Sequence, residues 1–409
     1  MPILFDHHSL AAYLIFFASY TVFAVGRFPG THIDRPAAAV IGAAMMFAFR
    51  VLGPEQGLRS INYATIVLLF AMMVVVAGLH LAGFFKSISD IFIAHVPSRW
   101  LLPVVIFSSG ILSAFLVNDI VCLLMAPLVM GISRQTGRRA TPYLLALATA
   151  SNIGSTATVT GNPQNILIGS VSRIPYLDFL VHLGPVALIG LFLDWAILYL
   201  IYFRSDSGIS LPPANQKVFT RPESHLIFPI VITIGVLGGF LAGFPPALVA
   251  AVGAAVVLMH PRYPSKNVYG EVDWSLLIFF AGLFLIVGGA EQSGIARELL
   301  SAAERFNLQN RWIFTGAVVF LANIVSNVPA VMLLKGLLPH FADARHFWLL
   351  LAMSSTLAGN LTITGSVANI IVVEKAREES PVSFGEYLKA GIPVTVATIV
   401  VGVIWLNYF

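Results

Sequence analysis

Charged residues and cysteine are both scarce in this chain. Only 10% of the 409 residues are charged, whereas 58% are hydrophobic; soluble domains carry roughly a quarter charged residues. This shortage excludes an ordinary soluble domain and predicts a polytopic helical membrane protein. Cys122 is the only cysteine, which excludes a disulfide framework and a cysteine metal cage.

Sequence signatures of enzymes are missing as well. The chain contains no HExxH, GxSxG or P-loop pattern, so we expect neither an enzyme nor a built-in ATPase. The driving force must then come from an ion gradient or from a separate cytoplasmic ATPase partner. The net charge of +4 is interpreted as a topology signal, so no nucleic-acid partner is expected. The N-terminus lacks a basic n-region, and no removable signal peptide is expected.

Apolar segments are present as two sets of six. The first set covers 9–26, 37–51, 62–84, 99–133, 141–171 and 181–203, and the second covers 226–243, 245–260, 274–290, 311–338, 346–373 and 390–408. A polar stretch at 204–225 separates them and predicts a cytoplasmic linker. The fourth segment of each set is too long for one crossing and too short for two. Each also has a polar break, LVNDIV or VSNVPA, which predicts a re-entrant helical hairpin.

Five crossings plus one hairpin make an odd number of passes, so the second half must insert upside down. The predicted fold is therefore an all-α polytopic membrane protein with two inverted-topology repeats, 1–203 and 226–409. Each repeat has five transmembrane helices, a hairpin (99–133 or 311–338) and a centrally broken helix (141–171 or 346–373). Fifteen of the 23 Lys and Arg residues lie on one predicted face. That face should be cytoplasmic, which places both termini outside.

One polar stretch occurs twice, as TVTGNPQN at 158–165 and TITGSVAN at 362–369. Such breaks are tolerated at membrane depth only if they are buried in protein or line a wet cavity. Paired breaks in two halves indicate the binding site of a secondary transporter. Close helix packing is the structural alternative for such small residues. The predicted solute- and ion-binding residues are Asn118, Asp119, Thr158, Thr160, Gly161, Asn162, Asn165, Ser326, Asn327, Thr362, Thr364, Gly365, Ser366 and Asn369.

Asp119 is the one acidic residue expected deep within these breaks, and an intramembrane carboxylate is a functional candidate. We expect it to couple transport to protons, and a role as a helix N-cap is compatible with that. Asp194 is expected to be structural. No resident metal or cofactor is expected; the coupling ion is a proton or sodium. Hydroxyls and amides at these breaks can bind an oxygen-rich neutral solute without a buried fixed cation.

These same motifs resemble the ion transporter superfamily. It includes arsenite/antimonite efflux permeases, divalent-anion:sodium symporters, sodium/proton antiporters of the NhaD type and the melanosomal P protein. VNDIVCLLMAP at 117–127 and GSVA at 365–368 look most similar to the arsenite permeases. GNPQN at 161–165 is closer to the motif of the wider superfamily, which keeps a carboxylate solute open. The resemblance implies a scaffold domain, a moving transport domain and elevator-like alternating access.

The sequence therefore predicts a secondary active transporter of the inner membrane that exports arsenite or antimonite in exchange for protons. A sodium-coupled carrier of dicarboxylates or inorganic anions and a sodium/proton antiporter are the alternatives; a channel or a membrane enzyme is less favoured. The expected partners are a small-molecule or metalloid solute and the lipid bilayer. A homodimer and a cytoplasmic ATPase are further candidate partners.

Overall fold

The computed structural model describes residues 7–28, 30–204 and 226–408, so almost all of the predicted linker 204–225 lies outside the described residues. Their regular structure is helical apart from one isolated bridge between Arg27 and Asp34. The first half contains α1 His7–Val25, α2 Arg35–Ala48, α3 Pro54–Ser60, α4 Tyr63–Leu81, α5 Phe84–His95, α6 Leu101–Leu116, α7 Asn118–Gln135, α8 Thr141–Ser155, α9 Pro163–Ser172 and α10 Tyr176–Tyr202. The second half contains α11 Ile227–Leu241, α12 Pro246–Met259, α13 Ser265–Gly270, α14 Trp274–Gln292, α15 Ile295–Arg305, α16 Arg311–Val325, α17 Asn327–Leu334, α18 Ala344–Ala358, α19 Val367–Ala376 and α20 Phe384–Tyr408.

The prediction of an all-α membrane protein is confirmed. Five helices of the described residues, α1, α4, α10, α14 and α20, are long and apolar enough to cross a bilayer. Each helix of the first half has a counterpart ten helices later, in the same order; the lengths are similar except that α7 has 18 residues and α17 has 8. The predicted hairpins correspond to α6–α7 and α16–α17, and the predicted broken helices correspond to α8–α9 and α18–α19.

Equivalent helices of the two halves run antiparallel where they meet. His80 at the end of α4 contacts Glu271 just before α14, while Ser60 just before α4 lies against Gly288 near the end of α14. Helices α10 and α20 pair in the same way, with Trp405 near the end of α20 bonded to the carbonyl of His182 near the start of α10. An inverted repeat requires this arrangement. The orientation of each half in the membrane, and the boundaries of the two repeats, stay predictions.

Ion pairs join loops that the charge count assigns to one face. Arg134 in the last turn of α7 pairs with Glu379 after α19, and both positions were assigned to the basic face. Arg345 pairs with Asp178, and both of these lie on the opposite face. The grouping of loops therefore agrees with the sequence, and the cytoplasmic location of the basic face stays a prediction.

Four short helices were missed. Helix α5 occupies most of a segment expected to be a loop, 85–98, and α3, α13 and α15 were likewise unassigned. Helix α15 has the sequence IARELLSAAER, whose polar face breaks any continuous apolar run. Amphipathic helices of this kind are invisible to a search for long apolar segments.

Small residues let the backbones of α6 and α8 touch. A Cβ atom on Gly154 would lie 2.0 Å from the carbonyl oxygen of Gly110, so no larger residue fits at Gly154. Close backbone approach through glycine is the usual packing device between membrane helices. It holds the hairpin α6–α7 directly against the broken helix α8–α9, which places the two polar breaks of the first half side by side.

Candidate functional site

Both hairpins turn on a residue with a left-handed backbone. Val117 has φ 63° and Ser326 has φ 75°, and α7 and α17 begin at the next residues, Asn118 and Asn327. A non-glycine residue in such a conformation costs of the order of 1–3 kcal/mol, which the surrounding packing must offset. The Asn118 N–H donates to the carbonyl of Gly161 at 2.8 Å. The first hairpin tip is thus bonded to the break between α8 and α9.

The two breaks are closed by equivalent asparagines. Asn165 Nδ2 donates to the carbonyls of Ser155 (3.1 Å) and Thr158 (3.0 Å). Asn369 Nδ2 donates to the carbonyls of Gly359 (2.6 Å) and Thr362 (3.0 Å). These carbonyls lie at the end of one half-helix and in the loop after it, where they have no partner in their own helix. The asparagine at the end of each repeated stretch, Asn165 or Asn369, therefore joins the second half-helix to the backbone before its own break.

A cavity of about 180 Å³ lies where the hairpin tips meet the starts of α9 and α19. We call it the central cavity. It is lined by Arg35, Pro36, Asn118, Asp119, Pro163, Gln164, Asp273, Ser275, Leu276, Phe279, Ser326, Asn327, Val328, Ser366 and Val367. It extends from the breaks toward the N-terminal ends of α2 and α14, which the charge count assigns to the cytoplasmic face.

Asn152 on α8 joins the two halves behind this cavity. Its Oδ1 accepts hydrogen bonds from Asn118 Nδ2 and Ser366 Oγ, both at 3.0 Å. Its Nδ2 donates to Asn360 Oδ1 at 2.9 Å and to Asn369 Oδ1 at 3.0 Å. All four partners are buried. One fully bonded side chain thus connects the first hairpin to the second broken helix.

One acceptor at the cavity lacks a donor. Asn118 is buried and lines the central cavity, yet its Oδ1 has no hydrogen-bond partner among the described residues. Leaving such an atom unpaired costs roughly 1–3 kcal/mol. The free acceptor therefore lies in the first hairpin. In the second hairpin, the Asn327 amide faces two carbonyls; with its nitrogen assigned to that side, Nδ2 donates to Ser355 (3.0 Å) and Gly365 (3.1 Å).

Charges in the central cavity are mixed. The starts of α7, α9, α17 and α19 all contribute lining residues, and helix N-termini carry partial positive charge. Arg35 adds a full positive charge; Asp119 and Asp273 add two negative ones. The Asp119 carboxylate also faces the backbone N–H of Ala368. With both carboxyl groups ionised, the side-chain charges of the cavity sum to a negative value, while N–H donors remain abundant.

The structure brings five of the predicted site residues to this cavity: Asn118, Asp119, Ser326, Asn327 and Ser366. The others are not among its lining residues. Thr158 Oγ1 donates to the carbonyl of Ala114, and Thr160 Oγ1 contacts Tyr176 Oη at 3.0 Å. Thr362 Oγ1 donates to Asn323 Oδ1 at 3.2 Å, and Thr364 is exposed outside the cavity.

The remaining predicted residues shape the breaks. Asn162 caps α9 by accepting the N–H of Asn165 at 2.8 Å. A Cβ on Gly161 would lie 2.1 Å from the carbonyl of Ser155, and one on Gly365 would lie 2.9 Å from that of Gly359. Their contacts indicate a structural role, while direct solute binding by these residues stays a prediction.

Four polar lining residues escaped the sequence search: Arg35, Gln164, Asp273 and Ser275. The site was expected to lack a fixed cation, and Arg35 in the cavity wall contradicts that expectation. Arg35 and Asp273 stand at the starts of α2 and α14; both were assigned to loops, and Arg35 was counted only as a topology charge. Arg35 follows Asp34, which is the N-cap of α2, and Asp273 is itself the N-cap of α14. An aspartate N-cap directly before an apolar run, present at both positions, is the signal that could have identified them.

Comparison with known proteins matches the chain to membrane transporters. A family model described as citrate transporter (CitMHS) matches residues 20–350. An uncharacterized transporter of Mycobacterium tuberculosis is 29% identical over 98% of this chain and 99% of its own length. The silicon efflux transporter LSI3 of Oryza sativa subsp. japonica is 27% identical, covering 92% and 93%. The putative transporter arsB of Dictyostelium discoideum is 28% identical, covering 91% and 87%.

A solved structure shares the fold. The crystal structure of the Alcanivorax borkumensis YdaH transporter superposes with a TM-score of 0.55 at 13% identity, covering 98% of both chains. At that identity the likeness concerns the fold alone.

Proposed function

The chain belongs to the citrate transporter (CitMHS) family of membrane transporters, and from that premise we propose that it exports arsenous or antimonous acid in exchange for protons. Family membership confirms the resemblance to the ion transporter superfamily, and the chain is a transporter and not an enzyme. The choice of solute and of coupling ion is our proposal.

The observation that carries this proposal is the unpaired, buried Oδ1 of Asn118 beside two carboxylates. Each of these groups accepts hydrogen bonds, so a fitting solute must donate them. Undissociated arsenous acid is a neutral triol whose hydroxyls donate to Asn118 Oδ1 and to the Asp119 carboxylate. Its oxygens accept in turn from Arg35 and from Gln164 at the start of α9. Neutral hydroxyl groups therefore pair with both the acceptors and the donors of the cavity wall.

A fully ionised carboxylate fits the central cavity less well. Citrate at neutral pH has three negative charges and only one hydroxyl donor for the three acceptors on Asn118, Asp119 and Asp273, and the two carboxylates would repel it. Arg35 offsets only one of those charges. The names of two relatives, a silicon efflux transporter and a putative transporter arsB, support a hydroxylated neutral solute rather than the one in the family's description.

We propose elevator-type alternating access in which α6–α9 and α16–α19 move as one body. The Asn152 network supports this because it connects both halves of that body. Against α1 and α4, the polar contacts of this body include Tyr20 Oη, which donates to the carbonyl of Pro329 at 3.1 Å, and Thr65 Oγ1, which lies 2.8 Å from Ser170 Oγ. An inner-membrane location with external termini, a homodimer and an ATPase partner stay predictions.

Purified protein should bind arsenous acid and antimonous acid at pH 7 without sodium, and bind citrate and sulfate at least ~10-fold more weakly, since one unpaired buried acceptor alone costs about 1.4 kcal/mol. Isothermal titration with each solute, in sodium and in choline buffers, measures this. Counterflow in proteoliposomes checks that binding leads to transport. Tighter citrate binding that requires sodium would replace our proposal with the sodium-coupled carboxylate carrier.

A further inference from the structure

A second, smaller cavity touches the same carboxylates from another side. It has a volume of about 70 Å³ and lies between α4, α7 and the loop before α14; we call it the side cavity. Asp119 and Asp273 line both cavities. His80 and Glu271 are its other titratable residues, and the rest of its wall is apolar. The volume has room for several water molecules.

His80 and Glu271 form a hydrogen-bonded pair in the wall of the side cavity. His80 Nδ1 lies 2.9 Å from Glu271 Oε2, and the two side chains are 38% and 34% exposed. His80 also stands in the last turn of α4, at the end that the charge count assigns to the cytoplasmic face. The pair therefore combines a hydrogen-bonded imidazole and carboxyl group with access to water.

We propose that the side cavity is the proton exit from Asp119, with His80 and Glu271 as the acceptor pair. The inference rests on the proposed proton exchange. Solute binding in the central cavity makes the Asp119 carboxyl release its proton, and it becomes a carboxylate. Water in the side cavity carries the proton to His80 Nε2 while Nδ1–H donates to Glu271. The imidazolium formed then loses one proton to water at the membrane face, which restores the pair.

A separate exit removes a conflict at the binding step. Solute entering the central cavity occupies the space through which a proton leaving Asp119 would otherwise reach water. The side cavity keeps a second wet contact to the same carboxyl group, so binding and release can occur together in one conformation. Exchange transport requires that coupling, because a carrier that holds neither solute nor proton must not change its orientation across the membrane.

Other charged groups near this path are few among the described residues. Arg35 faces Asp119 only across the central cavity. Helices α5 and α13 pack on α4 and carry Lys86, Asp90 and Lys266, none of which lines either cavity. Asp273 accepts the N–H of Leu276 at 2.9 Å as the N-cap of α14, so its carboxylate is held in place between the two cavities.

The test follows proton release directly. Detergent-purified protein in weakly buffered solution with a pH indicator is mixed with arsenous acid in a stopped-flow instrument. His80→Gln and Glu271→Gln should slow proton release by about tenfold or more, while equilibrium binding of arsenous acid stays within about twofold of wild type. His32→Gln, an exposed histidine at the same end outside both cavities, should release protons at the wild-type rate.

A structural role for the pair is distinguished by chemical rescue. Imidazole added to His80→Ala should restore fast release, because it replaces the missing proton acceptor. It would not restore release if the substitution acted only by disturbing the packing. Release at the wild-type rate in His80→Gln, a loss of binding that parallels the loss of rate, or failure of imidazole to rescue would each overturn the proposal. Wild-type protein that binds arsenous acid and releases no proton would instead refute proton exchange itself.

Discussion

Asp119→Asn is expected to abolish proton-driven arsenite uptake into everted vesicles while leaving solute binding largely intact. Asparagine keeps the size and the acceptor oxygen of the aspartate side chain but cannot exchange a proton in the working range. The carrier would then bind solute without releasing a proton, and driven flux should fall by at least ~100-fold, the lower range for loss of a positioned proton-transfer group. Uptake under an imposed pH gradient and titration with arsenous acid measure the two quantities.

Asp90→Asn is the matched control for this substitution. Asp90 lies on α5, which packs against α7, and it lines neither cavity. It should therefore transport at the wild-type rate. Proton-driven uptake that survives in the Asp119 variant would remove that residue from the coupling mechanism. A parallel loss of binding would instead show that the solute needs the charge of the carboxylate and not only its acceptor oxygen.

Asn152→Ala is expected to have the second large effect, on both stability and binding. Truncation leaves the partners on Asn118, Ser366, Asn360 and Asn369 without their bonds. Each unpaired buried group costs roughly 1–3 kcal/mol, so the free energy of unfolding should fall by about 3 kcal/mol or more. Because the hairpin tip loses its fixed position, affinity for arsenous acid should fall by ~100-fold.

Thr233→Val serves as the comparison for that variant. Thr233 is also buried, but its hydroxyl donates within its own helix, to the carbonyl of Pro229 at 2.8 Å, and α11 lies outside the proposed moving body. Its affinity for the solute should equal that of wild type. Thermal unfolding in detergent and titration calorimetry measure both variants. An Asn152→Ala protein with unchanged affinity would show that this network does not position the site.

The membrane helices were predictable because one strong physical constraint sets them. Backbone polar groups must be satisfied inside a bilayer, so long apolar runs such as 62–84 and 274–290 become helices with few alternatives. The breaks were predictable for the same reason, since polar residues within such runs need a buried or wet place. Repetition of TxTG in both halves then linked the two breaks.

The lining of the central cavity was only partly predictable. Asn118, Asp119 and Asn327 follow from the hairpin breaks, but Arg35 and Asp273 come from loops whose position depends on how α2 and α14 pack against the moving body. The threonines of TxTG illustrate the opposite error. Their hydroxyls suit a ligand by chemistry, yet Thr158 and Thr160 face Ala114 and Tyr176, and spacing along the chain contains no information on that direction.

The measurement that tests the account most directly is anomalous diffraction at the arsenic absorption edge from crystals grown with arsenous acid. Cys122→Ala protein should be used, because the sole cysteine lies on α7 near Asp119 and could capture arsenic itself. We predict one arsenic peak inside the central cavity, with a solute hydroxyl within hydrogen-bonding distance of Asn118 Oδ1. A peak elsewhere in the protein, or a cavity that excludes arsenic while transport persists, would contradict the account.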